Sequence, residues 1–420
     1  MSQDERQILI QRGHIGNRRG EQTALTLLRE ANLNHSEHMP YWFYVSTTLN
    51  CNFACTICYE RKILGSGEIS PEVLHGSLQA IKGLQEKWAI PPSKMNLVLF
   101  GGEPLLVSNP EILRTALKFA ERNRWKCVII TNGTRAISFS DLFDEFREII
   151  SDFRITIDGP PRIHDSRRPY RGGKGSFADV VSAIEHLLQK GHQVKMQTIL
   201  GAGNILKLEA LLKIVRQKGW LELSNFQWRI EASHDYANLD NAEDEYSEAA
   251  IVKTLVDLFQ KYPILMGKMK FESFKYLAHL TNSFGWLGNF KTYWGPKFNF
   301  CEPQKGFQYI FSIDGKIYHC PRTIGKSEFC VGDITQGLSG RDAELKRTSM
   351  LDRDKCKACI VNTLCGGGCP VQAKNFPKMD CQNAVLFKID AFIELLQGRI
   401  LEQATPDRIT SVNELWLPEM

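Results

Sequence analysis

The sequence predicts an α/β protein: a parallel sheet with helical crossovers, followed by a small cysteine-rich domain with a β-hairpin. Short apolar stretches alternate with amphipathic helical patterns six times between residues 41 and 230, which is typical of parallel sheets. Eight of the twelve cysteines lie after residue 300, where hairpin and loop signals replace that alternation. Six such units form an open sheet or a partial (β/α)6 TIM-like barrel, and both architectures gather ligands at the carboxyl ends of the strands.

The elements follow from periodicity and from turn residues. Ser70 followed by Pro71 marks a helix start, and the pair Asp314-Gly315 between two apolar stretches predicts the hairpin. Strands are predicted at 43–45, 96–100, 127–131, 153–157, 194–199 and 226–230. Helices are predicted at 70–84, 110–121, 141–150, 176–191, 205–218 and 241–262. We divide the chain into a helical arm (1–40), the barrel (41–293), the cysteine-rich domain (294–400) and a tail (401–420).

Composition excludes several classes of protein. Hydrophobic residues make up 43% of the 420 residues and charged residues 24%, which excludes a mainly disordered chain. No apolar run reaches the ~20 residues of a membrane helix, and the mild net charge of +5 does not favour nucleic-acid binding. We see no secretory signal, so we expect a cytoplasmic protein whose clustered thiols bind metal rather than form disulfides.

The first cysteine cluster has the pattern CxxxCxxC and follows the first predicted strand. Cys51, Cys55 and Cys58 can ligate one ion or one iron–sulfur cluster, and three thiolates leave one iron of a [4Fe–4S] cluster open. The alternatives are a zinc site without its fourth ligand, or thiols without metal. An iron–sulfur cluster is favoured because structural zinc sites take four protein ligands and this loop contains no histidine.

Two further motifs follow later strands in the same order. Gly101, Gly102 and Glu103 end the second strand; glycine permits close backbone approach, and the glutamate can accept a hydrogen bond from an ammonium group. Thr156 lies near the end of the fourth predicted strand, in the segment Thr156-Ile157-Asp158-Gly159, and Arg168 follows twelve residues later. Together with CxxxCxxC, these motifs resemble the radical S-adenosylmethionine (SAM) enzymes, although Thr156 stands where serine is usual in that family.

This resemblance implies the cofactors and the chemistry. In the family, the three thiolates hold a [4Fe–4S] cluster whose open iron binds the amino and carboxylate groups of SAM. Reductive cleavage of SAM gives a 5′-deoxyadenosyl radical, which removes a hydrogen atom from the substrate. The implied SAM contacts are Gly101, Gly102, Glu103, Thr156 and Arg168. Asn132, Gln197 and Arg229 end later strands and are candidate contacts of the nucleoside or substrate, with satisfied polar residues as the alternative.

Other polar residues near Arg168 receive a structural interpretation. We expect a solvated basic loop for Arg162, Arg167, Arg171 and Lys174. His164 and Asp165 are interpreted as loop structure, because hydrogen abstraction at SAM needs no general base.

The second cysteine group contains seven thiols, which is enough for two more clusters or for two structural zinc sites. Its spacing resembles the SPASM extension of radical SAM peptide maturases, and the resemblance then covers about residues 41–400. It implies an outer [4Fe–4S] cluster at Cys356, Cys359, Cys365 and Cys381, and an inner one at Cys301, Cys320 and Cys369. Cys330 is a strand thiol or a further ligand of the inner cluster, and Cys127 is expected in the core.

The same resemblance implies a ribosomally made precursor peptide with a leader as substrate. Pro321 stands where sulfatase-maturating members carry a catalytic aspartate, so sulfatase maturation is not expected. About 40 residues before the barrel are too few for a leader-binding domain, so we expect a separate leader-recognition protein or direct leader docking. The implied electron donor is a flavodoxin or ferredoxin. Two auxiliary clusters favour crosslinking or backbone excision over epimerisation. The alternatives are a small-molecule substrate or a non-catalytic zinc-binding protein.

Overall fold

The computed structural model describes residues 39–233, 248–271 and 301–347, together with Cys356, Cys359, Gly366, Gly367, Cys369 and Val371. The predicted N-terminal arm, the first residues of the predicted helix at 241–262, Cys365, Cys381 and the tail lie outside these residues. No helix in the described part is long and apolar enough to cross a membrane.

The described residues form one eleven-stranded sheet in the order β11-β10-β9-β8-β1-β2-β3-β4-β5-β6-β7. The strands are β1 (Tyr41–Thr48), β2 (Met95–Gly101), β3 (Lys126–Thr131), β4 (Ile150–Thr156), β5 (Val194–Leu200), β6 (Phe226–Ala232), β7 (Met269–Phe271), β8 (Gln308–Phe311), β9 (Lys316–Tyr318), β10 (Cys330–Asp333) and β11 (Gly337–Leu338). Strands β1 to β7 are parallel, and the six predicted strands correspond to β1 to β6. The α/β fold with a parallel sheet is therefore confirmed.

Helices connect successive strands, as the alternation predicts. They are α1 (Pro71–Lys87), α2 (Glu111–Arg122), α3 (Ser140–Glu145), α4 (Pro161–Arg167), α5 (Phe177–Gln189), α6 (Leu208–Gln217), α7 (Glu248–Lys261), α8 (Leu265–Lys268), α9 (Glu302–Lys305) and α10 (Gly340–Arg347). Ser70 caps α1 as predicted, since its Oγ accepts a hydrogen bond from Val73 N at 3.2 Å. No predicted helix corresponds to α4, α8, α9 or α10.

Two helix predictions need correction. The helix at 141–150 is too long, because α3 ends at Glu145 and Ile150 already belongs to β4. Ser176 precedes α5, but its hydroxyl does not cap that helix and instead donates to Arg168 O at 2.6 Å. Asp165 takes the capping role, since its Oδ1 accepts from the N–H groups of Ser176 and Phe177 at 2.8 Å.

The predicted hairpin is β8–β9, with Gly315 at φ +77° in its turn. Strand β8 also pairs in parallel with β1, from Trp42 opposite Gln308 to Val45 opposite Phe311. The hairpin therefore extends the barrel sheet directly, so the cysteine-rich part shares hydrogen bonds with the first barrel strand.

The two faces of the sheet differ in chemistry. One face carries the main core, in which Phe43, Leu99 and Phe153 pack together with helical side chains such as Leu78 and Leu117. On the opposite face, here called the inner face, the side of β1, β2, β8 and β9 is largely apolar. Its buried apolar residues are Phe100, Ile310, Tyr318 and Ile324. The inner face of β4 to β6 is polar, which becomes important below.

Candidate iron–sulfur and SAM site

The segment 51–58, here called the Cys loop, follows β1 at the carboxyl end of the sheet. Three backbone hydrogen bonds of 2.8–2.9 Å join residues 52–56 to residues 167–171, which follow β4 and α4 in the chain. Phe53 and Tyr170 form an antiparallel bridge there, and their rings meet edge to face with centroids 5.0 Å apart. Arg171 adds a hydrogen bond from Nε to Cys51 O at 2.6 Å. The loop that carries the three thiols is thus held by a segment more than 110 residues later.

The two glycines at the end of β2, Gly101 and Gly102, contact the backbone that leads into the Cys loop. Gly102 N donates to Thr48 O and Glu103 N to Asn50 O, each at 2.8 Å. A Cβ atom at Gly101 would lie 2.1 Å from Thr48 O, and one at Gly102 would lie 2.4 Å from Asn50 O. The expected close approach is therefore made to this chain's own backbone, and a contact of the glycines with SAM stays a prediction.

Glu103 is buried and hydrogen-bonded to several donors. Its Oε1 accepts from Leu105 N at 3.0 Å and from Thr131 Oγ1 at 2.5 Å, and its Oε2 accepts from Asn132 N at 2.6 Å. Burial nevertheless raises the pKa of Glu103 to about 7. A carboxylate oxygen can accept two hydrogen bonds, so Oε2 keeps an acceptor position for a donor such as an ammonium group.

Asn132 connects the third strand to the Cys loop. Its Nδ2 donates to Asn52 Oδ1 at 2.7 Å, and Asn52 Nδ2 donates to Thr134 Oγ1 at 2.9 Å. Thr134 closes the network by donating from N and from Oγ1 to Asn132 Oδ1. The side-chain amide of Asn132 thus has protein partners at both atoms and positions the loop.

Arg168 lies beside the Cys loop, as expected of a residue near SAM. Its Nε donates to Asp158 Oδ2 at 2.8 Å, and its Nη1 lies 3.9 Å from Cys55 Sγ. Burial opposes ionisation of Asp158, but the guanidinium groups of Arg168 and Arg167 hold the pKa of this carboxyl below its usual range. Asp158 was not among the predicted site residues, although an aspartate directly after a strand is a recognisable signal.

The other residues of this segment correct the prediction of a solvated basic loop. Arg162 and Lys174 are exposed as expected, but Arg167 is buried with Nε 3.4 Å from Asp158 Oδ2. Arg171, although exposed, binds the Cys loop through the bond to Cys51 O. His164 lies fully buried in α4 rather than in a loop.

The three thiols lie close enough together to influence each other's charge. Burial, with smaller contributions from neighbouring groups, raises the pKa of Cys51 to about 12 and that of Cys58 to about 11. Burial also raises the pKa of Cys55. Such thiols become ligands only when a bound cation stabilises their thiolate form.

No three His, Cys, Asp or Glu side chains of the described ranges gather tightly enough around one point to hold a single metal ion. An iron–sulfur core is larger than one ion and separates its thiolate ligands more widely. The donor set of this loop, three thiols without histidine, therefore fits a cluster with one open iron better than a structural zinc ion.

Thr156, Gln197 and Arg229 lie side by side in one row across β4, β5 and β6, since each is in register with the next. Gln197 Nε2 donates to Glu231 Oε1 at 2.8 Å, and Thr156 is half-buried at the end of β4. The fold thus brings these three predicted residues together, at the level where β4 ends.

The described cysteines of the second group are Cys301, Cys320, Cys356, Cys359 and Cys369. Burial is the main cause of the raised pKa of Cys320, and the charge of Cys369 makes a smaller contribution in the same direction. Cys330 lies in β10, where its Sγ donates to Gly332 O at 3.3 Å. Cys127 is fully buried in the core, as expected.

Comparison with known proteins agrees with these motifs. Residues 45–214 match the model of the radical SAM superfamily. A cysteine-type anaerobic sulfatase-maturating enzyme of Clostridium novyi (strain NT) is 23% identical over 360 residues, which cover 82% of this chain and 92% of that protein. A pre-heme d1 synthase of Dinoroseobacter shibae is 25% identical over 358 residues, covering 78% of this chain and 80% of that protein.

Solved structures show the same fold at low sequence identity. The structure of native anSMEcpe with bound AdoMet and Kp18Cys peptide superposes with a TM-score of 0.64 at 17% identity, covering 86% of this chain and 99% of that chain. Streptococcus suis SuiB bound to precursor peptide SuiA gives a TM-score of 0.56 at 12% identity, covering 82% and 75%. The chain therefore carries a radical SAM domain in a fold shared with these enzymes.

Proposed function

We propose that this protein is a radical SAM enzyme that modifies a ribosomally made precursor peptide by crosslinking or backbone excision. The observation that carries the proposal is the arrangement around Cys55. Arg168 lies 3.9 Å from its sulfur and is held by the buried Asp158, while residues 101–103 and 167–171 fix the Cys loop from two sides. A [4Fe–4S] cluster at the three thiols would supply the electron that cleaves SAM.

The chain's own residues would bind and orient SAM. Glu103 would accept a hydrogen bond from the SAM ammonium group through the spare position on Oε2, which requires the ionised carboxylate. Arg168 would face the SAM carboxylate from beside Cys55, and the hydroxyl of Thr156 would donate to SAM at the end of β4. Asn132, Gln197 and Arg229 would line the space next to the nucleoside or substrate.

Peptide chemistry is supported by the relatives. The anSMEcpe and SuiB structures hold peptides, and both share this fold. Net-oxidative crosslinking or excision needs an electron acceptor after hydrogen abstraction. The two auxiliary clusters proposed at Cys301, Cys320 and Cys369 and at Cys356, Cys359, Cys365 and Cys381 would provide it. Pro321, which follows Cys320 in a 3-10 turn, replaces the aspartate expected of sulfatase maturases.

Two partners complete the proposal. A separate leader-recognition protein would deliver the precursor peptide, and a flavodoxin or ferredoxin would reduce the first cluster. Strong binding of the leader to this chain alone would contradict the need for the first partner.

A small-molecule substrate is the second candidate function. The similarity to a pre-heme d1 synthase, which spans 78% of this chain, favours it. Mass spectrometry of the precursor peptide distinguishes the two candidate functions. Crosslinking removes two hydrogen atoms from the peptide and excision shortens it, whereas a small-molecule enzyme leaves peptides unchanged.

The first experiment measures iron, zinc and acid-labile sulfide after anaerobic purification and reconstitution. Three clusters give about 12 iron and 12 sulfide per chain. About 4 iron with zinc elsewhere keeps the radical chemistry but makes the second cysteine group structural. Cys55→Ala should abolish formation of 5′-deoxyadenosine from SAM. Zinc without iron, or unchanged SAM cleavage in Cys55→Ala, would refute the proposed function.

A further inference from the structure

The inner face of β4 to β6 carries charged side chains inside the fold. They alternate along each strand with core residues, so they share one face of the sheet. Burial of charge is costly unless the charges are paired, so each of these side chains needs a partner. The charged residues are Asp152 and Arg154 on β4, Lys195 on β5, and Arg229 and Glu231 on β6, and the neutral Gln197 of β5 lies on the same face.

Most of these charges have partners within the described part of the chain. Asp152 accepts from Arg154 Nε at 3.0 Å and from Lys195 Nζ at 2.9 Å, so one carboxylate neutralises part of two cations. The Arg154 guanidinium also lies 5.1 Å from the ring centroid of Trp42, a cation–π distance. Glu231 accepts a hydrogen bond from Gln197.

Arg229 is the exception. On the described strands β4 to β6, the three cationic side chains of this face, Arg154, Lys195 and Arg229, outnumber the two carboxylates, Asp152 and Glu231, by one. The Arg229 guanidinium makes no hydrogen bond or ion pair within the described ranges. Burial, and then repulsion from Arg154, lowers the pKa of Arg229, although the charges of Glu231 and Asp152 act in the opposite direction.

We propose that Arg229 binds a carboxylate group of the substrate. This inference rests on the proposed function and adds to it the chemical class of the substrate. A guanidinium forms a bidentate pair with a carboxylate, and an incoming negative charge would neutralise the excess charge of the inner face. The carboxylate belongs either to a peptide, as an Asp or Glu side chain or a C-terminus, or to a small molecule.

The position of Arg229 supports a substrate contact. Arg229 is two strands away from Thr156 in the row that ends β4, and Lys270 of β7 is in register with it on the other side. The SAM carboxylate has a different cationic candidate, because Arg168 already lies beside Cys55. If Arg168 binds the carboxylate of SAM, Arg229 is left for an anionic group of the substrate.

The test is an affinity selection on the immobilised, reconstituted full chain with SAM present. The probe is a library of random heptapeptides, prepared once with amidated and once with free C-termini, and glutarate is the competing small molecule. The proteins are the wild type, Arg229→Gln, Arg229→Lys and the control Arg162→Gln, which removes the same charge from an exposed position.

We expect about tenfold enrichment of Asp and Glu with the wild type and with Arg162→Gln, none with Arg229→Gln, and partial recovery with Arg229→Lys. Retention by Arg229 of peptides from the free-terminus library only, without enrichment of Asp or Glu, assigns the C-terminal carboxylate. Glutarate binding that depends on Arg229, without peptide selectivity, supports the carboxylate site and contradicts the peptide substrate. Equal selection by wild type and Arg229→Gln, or weakened SAM binding in Arg229→Gln as its main effect, overturns the proposal.

The proposed function is checked separately in the same preparations. Formation of 5′-deoxyadenosine by the wild type depends on the first cluster and on SAM, not on a substrate carboxylate. If the wild type cleaves SAM but shows no selectivity for carboxylates, the proposed role of Arg229 is refuted and the proposed function is not.

Discussion

Arg168 donates a hydrogen bond from Nε to Asp158 Oδ2 over 2.8 Å, and this ion pair is buried. The same guanidinium extends Nη1 to 3.9 Å from Cys55 Sγ. A carboxylate at the end of β4 therefore fixes the orientation of the cation that lies nearest to the middle thiol of the Cys loop. Asp158 acts through Arg168 and is a positioning residue.

Replacement of Asp158 removes the carboxylate that orients Arg168 but keeps the positive charge of Arg168. Asp158→Asn leaves two buried guanidinium groups without their carboxylate, so we expect a loss of about 3 kcal/mol in the free energy of unfolding. Urea unfolding measures that loss, and SAM titration measures the expected weaker SAM binding. Glu185→Gln, which breaks an exposed pair with Lys218, should change stability by less than about 1 kcal/mol. Equal effects of the two variants would contradict the positioning role.

The glycine contact with the Cys loop predicts a second effect. Gly101→Ala places a methyl group 2.1 Å from Thr48 O at a backbone φ of +138°, so the end of β1 must move. We expect destabilisation of about 3 kcal/mol and reduced iron incorporation after reconstitution.

Gly83→Ala is the matched control for that variant. Gly83 lies in α1 with no atom within 4 Å of a built Cβ, so alanine should stabilise the helix by about 0.5–1 kcal/mol and leave the iron content unchanged. Full iron loading of Gly101→Ala would show that the contact does not position the loop.

His164 predicts a pH dependence of stability. Its Nδ1 accepts from Asp158 N, and its Nε2 lies 3.1 Å from Ser176 Oγ. Because the Ser176 hydroxyl donates to Arg168 O, it accepts from His164 Nε2–H, which describes a neutral ring. Burial lowers the pKa of His164 to about 4, against about 6.5 in the unfolded chain.

The unfolded chain therefore binds a proton between pH 6.5 and 4 that the native state does not. The stability contributed by neutral His164 is fully present above about pH 6.5 and falls by about 3 kcal/mol as the pH drops toward 4. The difference in unfolding free energy between wild type and His164→Gln, measured by urea from pH 7 to pH 4, should shrink over that window. A constant difference would mean that His164 titrates normally.

Cys127 in the apolar core and Cys320 in the second cysteine group should differ in their effect on the iron content. Cys127→Ala should cost about 1 kcal/mol of stability and leave the iron content unchanged, because the thiol lies in the apolar core. Cys320→Ala should remove about 4 iron per chain, because Cys320 is a proposed ligand of the inner cluster. Metal analysis of both variants checks this. Iron loss in Cys127→Ala, or full iron in Cys320→Ala, would contradict the assignment of ligands.

The alternation of strands and helices, the parallel sheet, the hairpin and the positions of the cysteine motifs could be predicted from the amino-acid sequence. These features depend on periodicity, caps, turns and spacing over a few residues, which a linear sequence displays directly. The predicted end of the helix at 141–150 was wrong, since the helix ends at Glu145. Local helix propensity does not indicate where tertiary contacts end a helix.

Which polar residues meet depends on the tertiary fold and could not be predicted from local patterns. Strand β8 lies beside β1, residues 167–171 pair with the Cys loop, and Arg229 comes into register with Gln197 and Thr156. Four arginines within ten residues could not be distinguished by local sequence, yet their environments range from exposed to buried beside a thiol. They are Arg162, Arg167, Arg168 and Arg171. The reason is physical: strand register and long-range loop contacts set the distance between charges, and residues far apart in the chain fix both.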